Sequence, residues 1–130
     1  MRLEHIALNV AEPEKVMQWY QDHLHMQVVS VSQTPTFAAY FLSDSVRQSV
    51  LEFYHNPVAP VPDYAAIPPA NLHIAFSADD PEADRDRLVA AGGTAEGQKV
   101  TFPSGAAFCY VRDPWGLTLQ LVKRPEALLK

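Results

Sequence analysis

A single cysteine, Cys109, stands in a chain of 130 residues. It excludes an intrachain disulfide and fits a reducing compartment, so a cytoplasmic location is expected. No apolar run approaches the roughly 20 residues that a bilayer-crossing helix needs, and no membrane partner is expected. The opening Met1-Arg2-Leu3-Glu4-His5 runs straight into patterned sequence, so no signal peptide is expected. Positive charge is short as well: 10 Lys and Arg against 15 Asp and Glu leave a net charge of −5. With no basic stripe, nucleic acid is excluded as the expected partner. Low-complexity sequence is missing, and glycine is scarce at five residues. Proline is not scarce, but Pro57, Pro60, Pro62, Pro68 and Pro69 fall in one stretch and mark a linker.

What the chain does contain is one pattern written twice. Glu4-His5-Ile6-Ala7-Leu8 returns as Leu72-His73-Ile74-Ala75-Phe76, 68 positions later. The same ungapped shift carries Glu12-Pro13-Glu14 onto Asp80-Pro81-Glu82, and Leu51-Glu52-Phe53 onto Leu119-Gln120-Leu121. Two copies of one supersecondary unit, related by an approximate twofold, account for all three matches. Each copy alone would bury little apolar surface, so one domain over residues 1–130 is expected. Its first module covers about 1–56, its linker about 57–70 and its second module about 71–124.

Within each copy the hydrophobic period changes in the same order. Ile6, Leu8 and Val10 alternate with His5, Ala7 and Asn9, which predicts a strand. Val16, Trp19, Tyr20 and Leu24 recur at helical spacing behind Pro13, a residue suited to a helix's first turn. His25 follows where glycine often ends a helix, and His tolerates positive φ. Three β-rich runs complete the first half, at about 26–33, 36–43 and 47–55. The second half repeats the order, with Leu88 and Val89 expected inward on its helix and Asp113-Pro114-Trp115-Gly116 as a tight turn. The fold class expected is α+β with two repeated β-α-β-β-β modules; helices covering the greasy faces would leave these forming a curved mixed sheet around a cavity.

Strand parity puts His5, Glu52, His73 and Gln120 opposite the greasy neighbours of each strand. Two imidazoles, a carboxylate and an amide oxygen make a ligand set for one divalent cation with positions left for water or substrate. Tyr54 shares the face of Glu52. Phe37, Tyr40, Phe108 and Tyr110 lie on the third strand of each half; some line the cavity and some pack under helices, and parity alone does not decide which. Arg112 either holds an anionic substrate group or pairs with Asp113 to stabilise the turn.

The duplicated module, with a histidine in the first strand of each half and a glutamate ending the first, resembles the vicinal oxygen chelate superfamily. That group spans glyoxalase I, extradiol dioxygenases and bleomycin-resistance proteins. Trp19-Tyr20-Gln21-Asp22-His23-Leu24-His25-Met26 is similar to its helix-end signature, with His25 in the place of glycine, and Asp113-Pro114-Trp115-Gly116 resembles its turn into the last strand. The resemblance implies a glyoxalase-like fold, a homodimer and a small-molecule substrate. It implies a metal (zinc, nickel, manganese or iron) on His5, Glu52, His73 and Gln120.

Many relatives carry glutamate where Gln120 stands, and an amide is no useful proton acceptor at neutral pH. Glu52 is then the expected catalytic base of a glyoxalase-type lyase or isomerase. Tyr54, Tyr40, Phe108, Tyr110 and Trp115 are its expected pocket residues. Two alternatives stand beside it: a non-catalytic drug-binding protein of the bleomycin-resistance type, and an Fe(II) dioxygenase using His5, His73 and Glu52.

Overall fold

The computed structural model describes residues 1–129. The architecture is α+β, with two repeats of β-α-β-β-β. The first holds β1 (Ile6–Asn9), α1 (Pro13–Leu24), β2 (Gln27–Thr34), β3 (Phe37–Ser43) and β4 (Val50–Tyr54). The second holds β5 (Ile74–Ser77), α2 (Pro81–Ala90), β6 (Thr94–Thr101), β7 (Ala107–Arg112) and β8 (Thr118–Lys123). The strands form two four-stranded sheets, ordered β1-β4-β3-β2 and β5-β8-β7-β6. In each, the first strand runs parallel to the last and the other neighbours are antiparallel. The chain divides into two compact units, Met1–Pro62 and Asp63 onward. Among the described residues no helix is long and apolar enough to cross a membrane.

Both helices begin on a proline at the first turn, where its missing N–H costs nothing. Asp80 caps α2 by accepting from the Ala83 N–H at 3.1 Å. Helix α1 ends on His25 in the left-handed region (φ 55°), and the Met26 N–H closes back on the Tyr20 carbonyl at 3.3 Å. The imidazole-bearing residue thus takes the place that glycine fills in most such endings. Val16, Trp19 and Tyr20 are buried against the first sheet, where the Tyr20 ring lies 4.6 Å from that of Phe53. On α2 Leu88 is buried, as is Pro81 at its start, whereas Val89, expected inward beside Leu88, is 39% exposed. Consecutive helical residues point about 100° apart, and α2 has too narrow an apolar stripe to bury both.

The two modules differ at one point that decides which side chains share a face. In the first, the turn between β3 and β4 closes with Asp44 N–H on the Ser49 carbonyl; in the second, Asp113 N–H closes on the Leu117 carbonyl. The first turn is therefore one residue longer, and it accommodates Arg47 at φ 59°. As a result β4 and β8 keep the 68-residue offset while β3 and β7 are offset by one more: Phe41 pairs Glu52, and Tyr110 pairs Gln120. A one-residue slip moves every side chain of a strand to the other face.

Candidate functional site

In the first unit, His5 leads directly into β1, and Glu52 lies in the middle of the adjoining β4. The His5 Nε2 and Glu52 Oε2 atoms are 3.1 Å apart, with the two side chains 33% and 14% exposed. His5 Nδ1 pairs with the Glu4 carboxylate on the other side of the ring. Phe41, across from Glu52 on β3, sets its ring edge-on to the imidazole at 5.3 Å and 86°. The hydrogen bond to Glu4 holds the His5 pKa above 6.5; partial burial works against it, and the Glu4 and Glu52 charges add to it.

This arrangement has a chemical consequence. Glu4 can only accept, so Nδ1 carries a proton and donates it. Nε2 of a neutral ring then presents a lone pair to a carboxylate, which is also an acceptor. Two acceptors at that separation need a proton or a cation between them. Metal–nitrogen and metal–oxygen bonds of about 2.1 Å meeting at about 90–110° set their donor atoms about 3.0–3.4 Å apart, a range that contains the observed separation. The pair fits two ligands of one divalent ion.

In the second unit, His73 stands in the equivalent place before β5. Its Nδ1 donates to the Pro69 carbonyl at 2.8 Å, which leaves Nε2 as the lone-pair nitrogen of the neutral ring. Tyr110 repeats the role of Phe41, its ring 5.5 Å from the imidazole. The Gln120 amide donates to the Tyr110 hydroxyl at 3.4 Å. Phe108 and Phe102 extend the aromatic row, with centroids 5.2 Å from Tyr110 to Phe108 and 6.1 Å from Phe108 to Phe102.

The structure thus brings His5 to Glu52, and His73 and Gln120 to Tyr110, inside their respective units. Phe108 and Tyr110 share the Gln120 face, and Tyr54 shares the Glu52 face with Phe37, its ring 6.5 Å from Tyr54. Tyr40 does not belong with them. It pairs Phe53 on the opposite face and is 6% exposed, packed in the core. The longer first turn is the cause: it rotates β3 so that Phe41, not Tyr40, reaches the histidine. Trp115 lies in the turn before β8, its backbone N–H bonded to Asp113 Oδ1 at 2.9 Å. Among the described residues no group of three or more His, Cys, Asp and Glu side chains is placed to hold a metal.

Three contributors escaped the sequence reading. Phe41 was hidden by the ungapped repeat. Glu4 sits in plain view beside His5, but strand alternation points neighbours apart and gave no reason to pair them. The Pro69 carbonyl has no sequence signature at all.

Residues 2–121 match the family model described as Glyoxalase/Bleomycin resistance protein/Dioxygenase superfamily. A Vibrio parahaemolyticus protein named "Probable lactoylglutathione lyase" is 26% identical, the match covering 97% of this chain and 93% of that one. A glyoxalase family protein from Bacillus cereus superposes with a TM-score of 0.79 at 14% identity, covering 95% of this chain and 93% of its own. An antibiotic-binding protein from Streptomyces superposes at 0.65 with 20% identity, over 95% and 98% of the two chains. The two structural likenesses speak to the fold.

Proposed function

The chain belongs to the Glyoxalase/Bleomycin resistance protein/Dioxygenase superfamily, and from that premise we propose that it is a metal-dependent lyase or isomerase of glyoxalase type. Its substrate is a small molecule that chelates through oxygen. The observation that carries the reading is the His5–Glu52 pair: two ligand-type atoms 3.1 Å apart, with the far nitrogen of the ring already committed to Glu4. His5 and Glu52 would hold the ion, and His73 and Gln120 are the corresponding candidate ligands of the second unit. The ion, zinc, nickel, manganese or iron, supplies Lewis acidity that polarises a substrate carbonyl. Glu52 is the carboxylate that accepts a proton next to that carbonyl, since the Gln120 amide cannot. Tyr54 would offer a phenol to a substrate oxygen, and Phe108 and Tyr110 flank Gln120 on its face of the second sheet. A homodimer belongs to the same reading and is checked by light scattering.

Metal content after mild purification, with calorimetric titration afterwards, tests the proposal. Near-stoichiometric binding that is lost in His5→Ala and in Glu52→Gln is expected. No uptake of any of the four metals overturns it. The name of the Vibrio relative suggests the first turnover assay, formation of lactoylglutathione monitored by its thioester absorbance. In that assay Gln120→Glu is expected to switch on or raise activity by restoring a second carboxylate.

A second reading, binding without turnover, is favoured by the aromatic row Phe102, Phe108, Tyr110 and His73, whose successive rings lie at stacking distances. It predicts capture of an aromatic small molecule that survives His5→Ala. Loss of that binding together with the metal counts against it.

A further inference from the structure

Arg112 was expected to meet a substrate anion or Asp113; it meets the linker. Its side chain is only 12% exposed and points at three backbone carbonyls and one carboxylate. Nε donates to Glu96 at 2.8 Å, Nη1 to the carbonyls of Gly116 at 2.9 Å and Tyr64 at 3.1 Å, and Nη2 to that of Ile67 at 3.2 Å. The planar fork thus ties the short 3-10 turn Tyr64–Ala66, and Ile67 behind it, to the turn between β7 and β8. An ammonium could not span those directions from one point.

The backbone beyond Ile67 is stiff. Pro68 and Pro69 have φ fixed by their rings. Ile67, preceding a proline, is confined to extended backbone, and it is found there, at φ −83° and ψ 120°. The chain then folds back, with the Asn71 and Leu72 N–H groups on the Pro68 carbonyl at 2.9 and 3.3 Å. The next carbonyl, that of Pro69, receives the His73 Nδ1–H at 2.8 Å. Only two ring-locked residues separate the carbonyl held by Arg112 from the region that orients His73.

We propose that Arg112 is a positioning residue for His73: by clamping the 64–67 segment it fixes, through Pro68 and Pro69, the carbonyl that keeps the imidazole in its Nδ1–H tautomer with Nε2 free to bind. The consequence for metal affinity rests on His73 being a ligand, as proposed above; the tautomer itself does not. Such outer contacts orient a ligand ring and raise its basicity, and losing one typically weakens metal binding about 10–100-fold.

The test is a long-range nitrogen–proton NMR spectrum of the metal-free full chain, at a pH where the ring is neutral. Wild type is expected to show His73 as the Nδ1–H form alone. Arg112→Ala is expected to bring in the Nε2–H form, and Arg112→Lys to fail to restore the wild-type spectrum. Because Arg112→Ala removes a nearly buried group, a paired Pro68→Gly, Pro69→Gly variant provides a second route. It leaves the clamp intact and loosens the link, and the same mixed tautomers are expected. A pure Nδ1–H signal in that variant, or in a folded Arg112→Ala, overturns the proposal. His73→Ala separates the two readings: unchanged zinc affinity there removes His73 from the metal site and leaves the tautomer result standing.

Discussion

Replacing Gly116 with alanine is expected to drive a methyl group into the segment that Arg112 clamps. Gly116 sits at φ +91°, and a Cβ built on it would lie 2.6 Å from the Ala65 nitrogen and 2.7 Å from the Ala65 Cβ. Holding a non-glycine residue in that half of the map costs about 1–2 kcal/mol. The clash is with backbone that cannot retreat without lengthening the Arg112 bonds to Tyr64 and Ile67, and overpacking of this kind costs about 1–3 kcal/mol more. The total is about 2–5 kcal/mol.

Gly97 supplies the control. Its φ is +67° and nothing lies within 4 Å of an added Cβ. Gly97→Ala therefore carries the backbone term alone, about 1–2 kcal/mol. At about 2.1 cal/mol/K of unfolding entropy per residue, each kcal/mol lowers the midpoint of a chain this long by about 3–4 °C. Gly116→Ala should melt about 13 °C below wild type and Gly97→Ala about 5 °C below. Urea titration gives the free energies directly, with unchanged slopes required. Equal losses for the two variants, with the Ala65 amide resonance unmoved, would refute the claim that the 64–67 segment is held hard against this turn.

The first unit yields two further outcomes. His5 is expected to titrate above 6.5 by NMR, and Glu4→Gln to bring it down, since the Glu4 hydrogen bond is the largest cause of the rise. A folded-state pKa raised above its unfolded value means that the pairing stabilises fully below pH 6.5 and fades as pH rises through the folded value, so Glu4→Gln should cost stability at pH 6 and little at pH 8. Tyr40→Ala should destabilise by about 3–5 kcal/mol, as for other buried aromatics, and leave the His5 resonances in place. Phe41→Ala should cost less and shift those resonances through loss of the edge-on ring.

Most of the fold was legible because local signals agreed with one another. Pro13 and Pro81 start helices, His25 ends one in the left-handed region, and each predicted strand has a counterpart within a few residues. The offset of the repeat holds at the first and last strands of each half, so each histidine leads into a first strand, and Glu52 and Gln120 take equivalent places on β4 and β8. It misled at β3, where one extra turn residue changes the face of every side chain and leaves hydrophobicity uninformative: Tyr40 and Phe41 are both large and aromatic. Arg112 was illegible for a different reason. Its partners are mostly backbone carbonyls, which every residue owns, and a proline-rich stretch reads as a linker whether or not something grips it.

The asymmetry between Glu52 and Gln120 extends to the aromatic residue opposite each. Glu52 faces Phe41, which has no hydroxyl to offer; Gln120 faces Tyr110, which has one. A half-buried carboxylate beside phenylalanine must find its partner elsewhere, and the atom within reach is His5 Nε2. The amide beside tyrosine is served by the phenol, so its contact is neutral. Two paired differences, Glu with Phe and Gln with Tyr, therefore give the duplicated module two electrostatic characters on one backbone plan. The first half carries a carboxylate that demands a proton or a cation, while the second presents an oriented imidazole and an uncharged amide. Exchanging only one member of a pair would break this. Gln120→Glu puts a carboxylate where the Tyr110 hydroxyl can donate to it, so the new charge gains a partner that Glu52 lacks, and the second half should tolerate that charge without recruiting His73.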